Sequence, residues 1–254
     1  VQFVKRNLAI VPAYNEAKAI RATIDAIHAA APEFEVLVID DGSTDATAER
    51  ARVAGARVLR LPFNLGIGGA VQSGYIYAQE RGFEVAVQVD GDGQHDPRQI
   101  RDLLDRLQAD PELNMVTGSR FLDTDSDGYR SSVVRRIGIR LFARVVSIIT
   151  GQRVTDPTSG FRMIDRRGIE LFARDYPHDY PEVEAILLMH ANRLRSCEIP
   201  VVMAPRITGE SAITVTQSVY YTIKVLLAVF VGLFRSRAAA EALDAPAIGA
   251  ERTT

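Results

Sequence analysis

A mainly parallel α/β sheet covered by helices on both faces is the fold class this sequence predicts, and two patterns predict it. Short runs rich in β-branched residues alternate with longer stretches whose apolar residues fall at helical spacing. The residues suited to chemistry gather in the loops that follow those runs, where open α/β sheets bind their ligands.

The strand-like runs are "LAIVP" (8–12), "EVLVID" (35–40), "ARVLRL" (56–61), "EVAVQVD" (84–90) and "NMVTG" (114–118). Between them, 17–30, 46–54, 67–81 and 97–109 read as helices; Ser43 or Asp45 suits the cap of the second, and Pro97 suits the first turn of the fourth. "PAYNE" (12–16), "DDGSTD" (40–45), "NLGIGG" (64–69) and "DGDGQH" (90–95) follow the first four strands in turn. The chemistry-bearing loops therefore converge on the carboxyl edge of one sheet.

The 254 residues, 47% of them hydrophobic, are enough to bury a sizeable core in one domain with appendages. Thirty Lys and Arg against 32 Asp and Glu give no overall attraction to nucleic acid, which is not expected as a partner. The single cysteine, Cys197, excludes an intramolecular disulfide framework and favours a reducing compartment; in "LRSCEIPVV" it reads as a packed thiol at a strand. No cleavable leader is legible ahead of the first strand.

The second half changes character. No acidic residue occurs from Tyr129 to Thr155, while Arg130, Arg135, Arg136, Arg140, Arg144 and Arg153 accumulate. At helical spacing Arg136, Arg140 and Arg144 share a face, beside a stripe of Ile137, Leu141, Val145 and Ile148. An anionic lipid surface suits such a helix, about 130–150, and so does plain solvent on the Arg side. Residues 213–234 are mostly apolar, but Lys224 and Gln217 favour an interfacial or partner-packed helix over a span. The domain expectation is a catalytic unit over 1–212, an interfacial or membrane-associated helix over 213–237, and a tail without fixed structure over 238–254.

A dinucleotide fold would carry a glycine-rich phosphate cradle after its first strand. Pro12-Ala13-Tyr14-Asn15-Glu16 stands there instead, and "GIGG" (66–69) comes too late to replace it. If phosphates bind, a cation must offset them, and Asp90 with Asp92 offers the hard oxygens that Mg²⁺ or Mn²⁺ prefers, with Gln94 as a neutral addition. Such a pair also occurs in solvated turns; here it ends an alternating strand, which favours the ligand reading. His95 reads as a residue that fixes the loop before it reads as a ligand. "DTDSDG" (123–128) copies the start of a calcium loop, but Val134 stands where the twelfth-position Glu belongs, so calcium is excluded.

"VPAYNE", "VIDDGSTDAT", "NLGIGGAVQSGY", "VDGDGQHDP", "GSR", "DPTSGFR" and "YPEVE" occur in the order and rough spacing of the family 2 glycosyltransferases. Over about residues 7–212 the chain resembles their polyprenyl-phosphate sugar transferase branch, to which dolichyl-phosphate mannose synthases belong. The resemblance implies a GT-A (Rossmann-like) fold, a mainly parallel sheet flanked by helices, with amphipathic or interfacial helices toward the C-terminus. It implies that Pro12, Tyr14, Glu16 and Asp41 hold the nucleoside of a nucleotide sugar, and that Asp90, Asp92 and Gln94 gather around metal and diphosphate. Arg120, Arg162 and Arg206, with Ser211, match positions near the acceptor or donor phosphates, and Asp156 matches a carboxylate near the reacting centre. Asp156, Asp92 and Arg120 are thus the expected catalytic set. Where the family often ends its last motif in lysine, "GESAI" places Glu210 and Ala212, and Glu182 and Glu184 both match the position of a base-like carboxylate.

The activity so implied is inverting, metal-dependent transfer of a sugar from a nucleotide-diphosphate sugar to a membrane polyprenyl phosphate. An ionised phosphate nucleophile needs no deprotonation, whereas a hydroxyl acceptor would need a true base. The implied setting is peripheral, on the cytoplasmic face of the cell membrane, with an integral-membrane partner or a second copy of the chain as candidate company. Three rivals remain at this stage: transfer to a polysaccharide or small-molecule hydroxyl, nucleotidyl transfer, and a non-catalytic nucleotide-sugar or lipid-binding module. Nucleotidyl transfer would want a basic, glycine-rich first loop, and "PAYNE" is neither.

Overall fold

The computed structural model describes residues 6–122, 133–178 and 181–203, with backbone alone at 133–137. These residues fall within one compact unit, Val1–Ala212. The expectations for 123–128, Arg206, Ser211, Glu210, Ala212 and everything from 213 onward lie outside the described residues.

The elements follow the order β1 (Asn7–Ala13), α1 (Ile20–Ala30), β2 (Phe34–Asp40), α2 (Thr47–Val53), β3 (Arg57–Arg60), α3 (Gly66–Glu80) and β4 (Val85–Gln88). After them come α4 (Ile100–Gln108), β5 (Leu113–Ser119), α5 (Val133–Thr150), β6 (Arg162–Asp165), α6 (Arg166–Arg174), α7 (Pro181–Ala191) and β7 (Arg195–Pro200). They form a seven-stranded sheet in the order β3-β2-β1-β4-β6-β5-β7. All pairings are parallel except those of β6, which runs antiparallel to both β4 and β5.

Strand β1 is buried along its whole length, consistent with an unbroken apolar run paired on both sides. The chain leaves it toward β2 and β3, then returns through α3 to place β4 on its other side. That reversal makes the carboxyl ends of β1 and β4 a topological switch point, the usual crevice for a ligand in such sheets.

Helices α1 and α4 supply Ile20, Ile24, Ile27, Ile100, Leu103 and Leu107 to a core shared with Val11, Val38 and Val87. Each such side chain contributes about 1.5–3 kcal/mol relative to exposure. On the other face, Tyr75 of α3 lies 5.3 Å from Phe172 of α6, centroid to centroid. A Cβ at Gly74 would come within 2.4 Å of Ile10 Cγ2, so the bare backbone lets α3 press onto β1. The amino end of α3 is thereby held over the switch point.

Strand β6 was not foreseen. Its four residues, RMID, are bounded by charges and too short to display a period. It matters because its register, Gln88↔Arg162, carries the preceding "DPTSG" segment to the end of β4. One helix start differs from expectation: the first begins at Ile20 after a turn on the Glu16 carbonyl. Of the two residues expected to serve α2, Asp45 does so, through Thr47 N at 2.9 Å.

Candidate active site

The first two loops are stitched together by Asn15, whose positive φ of 56° suits its side chain. Its N–H donates to Ser43 Oγ at 3.0 Å, and its Oδ1 accepts from Thr44 N at 2.9 Å. Ala17 N donates to Asp45 Oδ2 at 3.1 Å. Burial pushes the Asp45 carboxyl up, but bonds from Thr47 and Ala17 and the charge of Arg50 bring it below its ordinary value. Asp41 is buried, and its two oxygens accept from Leu65 N at 2.7 Å and Gly66 N at 3.0 Å, capping α3. Gly42, at φ 72°, lies so close beneath Phe63 that a Cβ would sit 2.8 Å from its carbonyl carbon.

The fourth loop is fixed from below. His95, buried and stacked on Phe161, accepts from Asp90 N through Nδ1 at 3.0 Å. That bond makes Nε2 the protonated nitrogen and gives His95 the loop-fixing position read from the sequence. Gln88 Nε2 donates to Asp90 Oδ1 at 3.1 Å, and Asp92 Oδ1 accepts from Gln94 N at 3.0 Å. A Cβ at Gly160 would lie 2.9 Å from Gln88 Nε2 and 3.4 Å from Asp90 Oδ2, so the glycine leaves space for that carboxylate.

Together these loops wall a cleft of about 380 Å³, lined by Pro12, Tyr14, Glu16, Asp41, Asp90 and Asp92 among others. Among the described residues, four of its lining side chains are carboxylates and none is Lys or Arg. Gln94 is not among them. Among the described residues no group of three or more His, Cys, Asp or Glu could hold a metal. Two carboxylates beside an open cleft nevertheless fit Mg²⁺ or Mn²⁺, which takes remaining ligands from phosphate and water.

A second group lies where β5 ends. Arg120 donates to Asp156 through Nε at 2.6 Å and Nη2 at 2.8 Å, and its backbone N reaches the same carboxylate at 3.1 Å. Asp156 is fully buried, and Thr158 Oγ1 bonds both partners at 2.8 and 3.0 Å. Glu198 accepts from Thr155 N at 2.8 Å, Thr155 Oγ1 at 2.7 Å and Asp156 N at 2.9 Å. Burial pushes the Glu198 carboxyl up, against these bonds, and the Asp156 charge adds to the rise.

Arg162 is buried; its Nη2 donates to the carbonyls of Pro157 and Glu182, while Nε and Nη1 have no hydrogen-bond partner among the described residues. The Glu182 carboxyl is pushed up by burial, held back by its own backbone N–H and by Arg162, and it feels Asp90 and Arg120 as well. The Glu182 carboxyl thus lies within the field of both the acidic cleft and the arginine group. The sequence reading brought out both groups but missed Asn15, Gln88, Thr158 and Glu198. A carboxylate inside the otherwise apolar "CEIPVV" was the available signal for Glu198.

The family model described as "Glycosyl transferase family 2" matches residues 8–172. The undecaprenyl-phosphate mannosyltransferase of Micrococcus luteus is 31% identical over 216 residues, covering 81% of this chain and 86% of that protein. The polyprenol monophosphomannose synthase of Mycolicibacterium smegmatis is 31% identical over 177 residues, 67% of this chain and 65% of that one. Among solved structures, the glucosyl-3-phosphoglycerate synthase of Mycobacterium tuberculosis with Mn²⁺, UDP and glucosyl-3-phosphoglycerate superposes with a TM-score of 0.65 at 23% identity, covering 81% of this chain and 73% of that one. The chain belongs to glycosyl transferase family 2 and is a nucleotide-sugar hexosyltransferase on a GT-A fold.

Proposed function

We propose that this chain transfers a hexose, with inversion, from a nucleotide-diphosphate sugar to a polyprenyl phosphate at a membrane surface, and that Mg²⁺ or Mn²⁺ is required. The acidic lining of the switch-point cleft carries the metal requirement: a diphosphate cannot approach Glu16, Asp41, Asp90 and Asp92 without a cation between them. The acceptor class rests on the two bacterial relatives, whose names specify undecaprenyl phosphate and polyprenol.

In this reading Tyr14, with Pro12 and Glu16, faces the nucleoside, and Asp90 with Asp92 holds the ion. The ion supplies Lewis-acid stabilisation of the departing diphosphate, worth several kcal/mol. The acceptor phosphate, with a second pKa of about 6, is largely ionised at neutral pH. Its oxygen attacks the anomeric carbon as the bond to the diphosphate oxygen breaks on the opposite face, and no proton need be removed. Arg120 and Arg162 offset the repulsion between the two phosphates. Asp156, fully buried with both oxygens engaged, acts by holding Arg120 rather than by meeting substrate.

A hydroxyl acceptor is the second reading, and Glu182 favours it, since a carboxyl pushed up by burial and within the field of Asp90 and Arg120 suits a general base. Incubating the protein with labelled nucleotide sugars, Mn²⁺ and either polyprenyl phosphate or soluble sugars separates the two. Label extracted into organic solvent is expected; label recovered solely in the aqueous phase would establish the second reading.

The membrane contact is assigned to α5. Its inner face buries Ile139, Phe142 and Val146, while Leu141 is 45% and Ile148 81% exposed beside the exposed Arg140 and Arg144. No helix among the described residues is long and apolar enough to cross a membrane. A peripheral position on the cytoplasmic face accords with this surface and with the reducing compartment that a lone cysteine favours. Arg140→Glu with Arg144→Glu is expected to weaken co-sedimentation with anionic liposomes at least about 30-fold at low salt, since loss of each arginine costs about 1 kcal/mol and the new carboxylates are repelled. Unchanged partitioning would remove α5 from the membrane contact.

A further inference from the structure

We propose that Glu198 is a positioning residue that fixes the Arg120–Asp156 pair for sugar transfer. The inference rests on the reading of this site as the transfer centre, and it holds for either acceptor. Neither member of the pair is placed by its own surroundings alone. Arg120 directly follows β5, whose register with β7 sets Thr117 opposite Glu198 and Ser119 opposite Pro200. Asp156 lies in the connection between α5 and β6, where no ladder holds it. Glu198 supplies what the ladder lacks.

Its carboxylate takes the two consecutive backbone N–H groups of Thr155 and Asp156, one on each oxygen, and adds the Thr155 hydroxyl. That hydroxyl also lies 2.6 Å from Ser119 Oγ, at the end of β5. Both halves of the ion pair are therefore referenced to one strand: Arg120 through the β5–β7 ladder, Asp156 through Glu198. Charge-assisted bonds to successive amides are short and directional. A bidentate guanidinium with contacts of 2.6 and 2.8 Å tolerates little displacement, and a 1 Å error at a reacting centre costs on the order of 100-fold in rate.

The glutamine variant tests this, because Glu198→Gln keeps shape but turns an amide NH₂ toward one of the three donors. The donor cleft is lined from other loops, so substrate binding there should be spared. The expected result is a fall in kcat of roughly 10–100-fold with the donor KM within about 2-fold. Backbone amide exchange at Thr155 and Asp156 should quicken at least about tenfold while that of β1 and β4 holds. Thr155→Val, which removes the hydroxyl and keeps both amides, should give a smaller loss of the same kind, and it serves as the test if Glu198→Gln does not fold. A residue that merely stabilised the fold would lower the melting temperature and leave the kcat of the folded enzyme intact. Unchanged kcat with unchanged exchange at 155–156, or a donor KM that rises as far as kcat falls, overturns the proposal. Should the wild type transfer no sugar to any acceptor, the functional reading fails separately. Amide exchange, together with the protection of Arg120 Nε–H read by NMR, then still decides whether Glu198 holds the pair.

Discussion

Asp92→Asn is expected to reduce transfer on the order of 1,000-fold, about 4 kcal/mol of transition-state stabilisation, with a melting temperature close to that of the wild type. Asparagine preserves an oxygen for Gln94 N, which Asp92 Oδ1 accepts at 3.0 Å, so the turn survives while the charge is lost. The electrostatics set the scale. A phosphate charge about 4 Å from one carboxylate is repelled by roughly 4 kcal/mol at an effective dielectric of 20, and the cleft lining holds four carboxylates among the described residues. Kinetics in metal-buffered solution would be paired with thermal shifts by the nucleotide diphosphate, with and without Mn²⁺. The wild type should be stabilised by the nucleotide only when the ion is present, and the variant should not respond. Full turnover by the variant at low Mn²⁺ would remove the metal assignment.

The acidic cleft was legible because its residues stand in loops directly after strands, and local patterning shows where strands end. "PAYNE" and "DGDG" belong to one cleft because β1 and β4 are neighbours. The expected parallel sheet put both loops at one edge, and the strand order made them neighbours. The group around Arg120 and Asp156 was less legible. Arg120 and Asp156 are 36 residues apart and meet through long-range pairing, with β6 inserted antiparallel between β4 and β5 and β7 carrying Glu198 to Thr155 and Asp156. A four-residue strand carries no period, and pairing order is decided by long-range burial that a window along the chain does not sense. Asn15 was hidden for a different reason. It lies within a motif already assigned to the nucleoside, yet its side chain spends its oxygen on Thr44. Asp41 likewise lines the cleft while both its oxygens cap α3, so one residue shapes the site and secures the helix over it.

Arg120→Ala is expected to abolish transfer and also to destabilise the fold, and the two losses can be separated. Removing one partner of a buried pair leaves the other uncompensated, at about 3–5 kcal/mol. For a chain of this size that lowers the melting temperature by roughly 10 °C. The pair qualifies as buried: Asp156 is fully enclosed and the Arg120 side chain is 8% exposed. Arg120→Met combined with Asp156→Asn removes both charges, keeps an oxygen for the backbone N of residue 120 and turns an amide NH₂ toward the Thr158 hydroxyl, which can accept it. Replacing both members of a buried pair is often nearly neutral, so the double variant should recover most of the lost stability. On the proposed reading it should not recover transfer, because the Arg120 guanidinium is gone and Arg162 alone is left to offset the two phosphates. A double variant that regained both stability and turnover would make the pair structural; one that regained stability alone assigns Arg120 to the reaction and leaves Asp156 as the group that aims it.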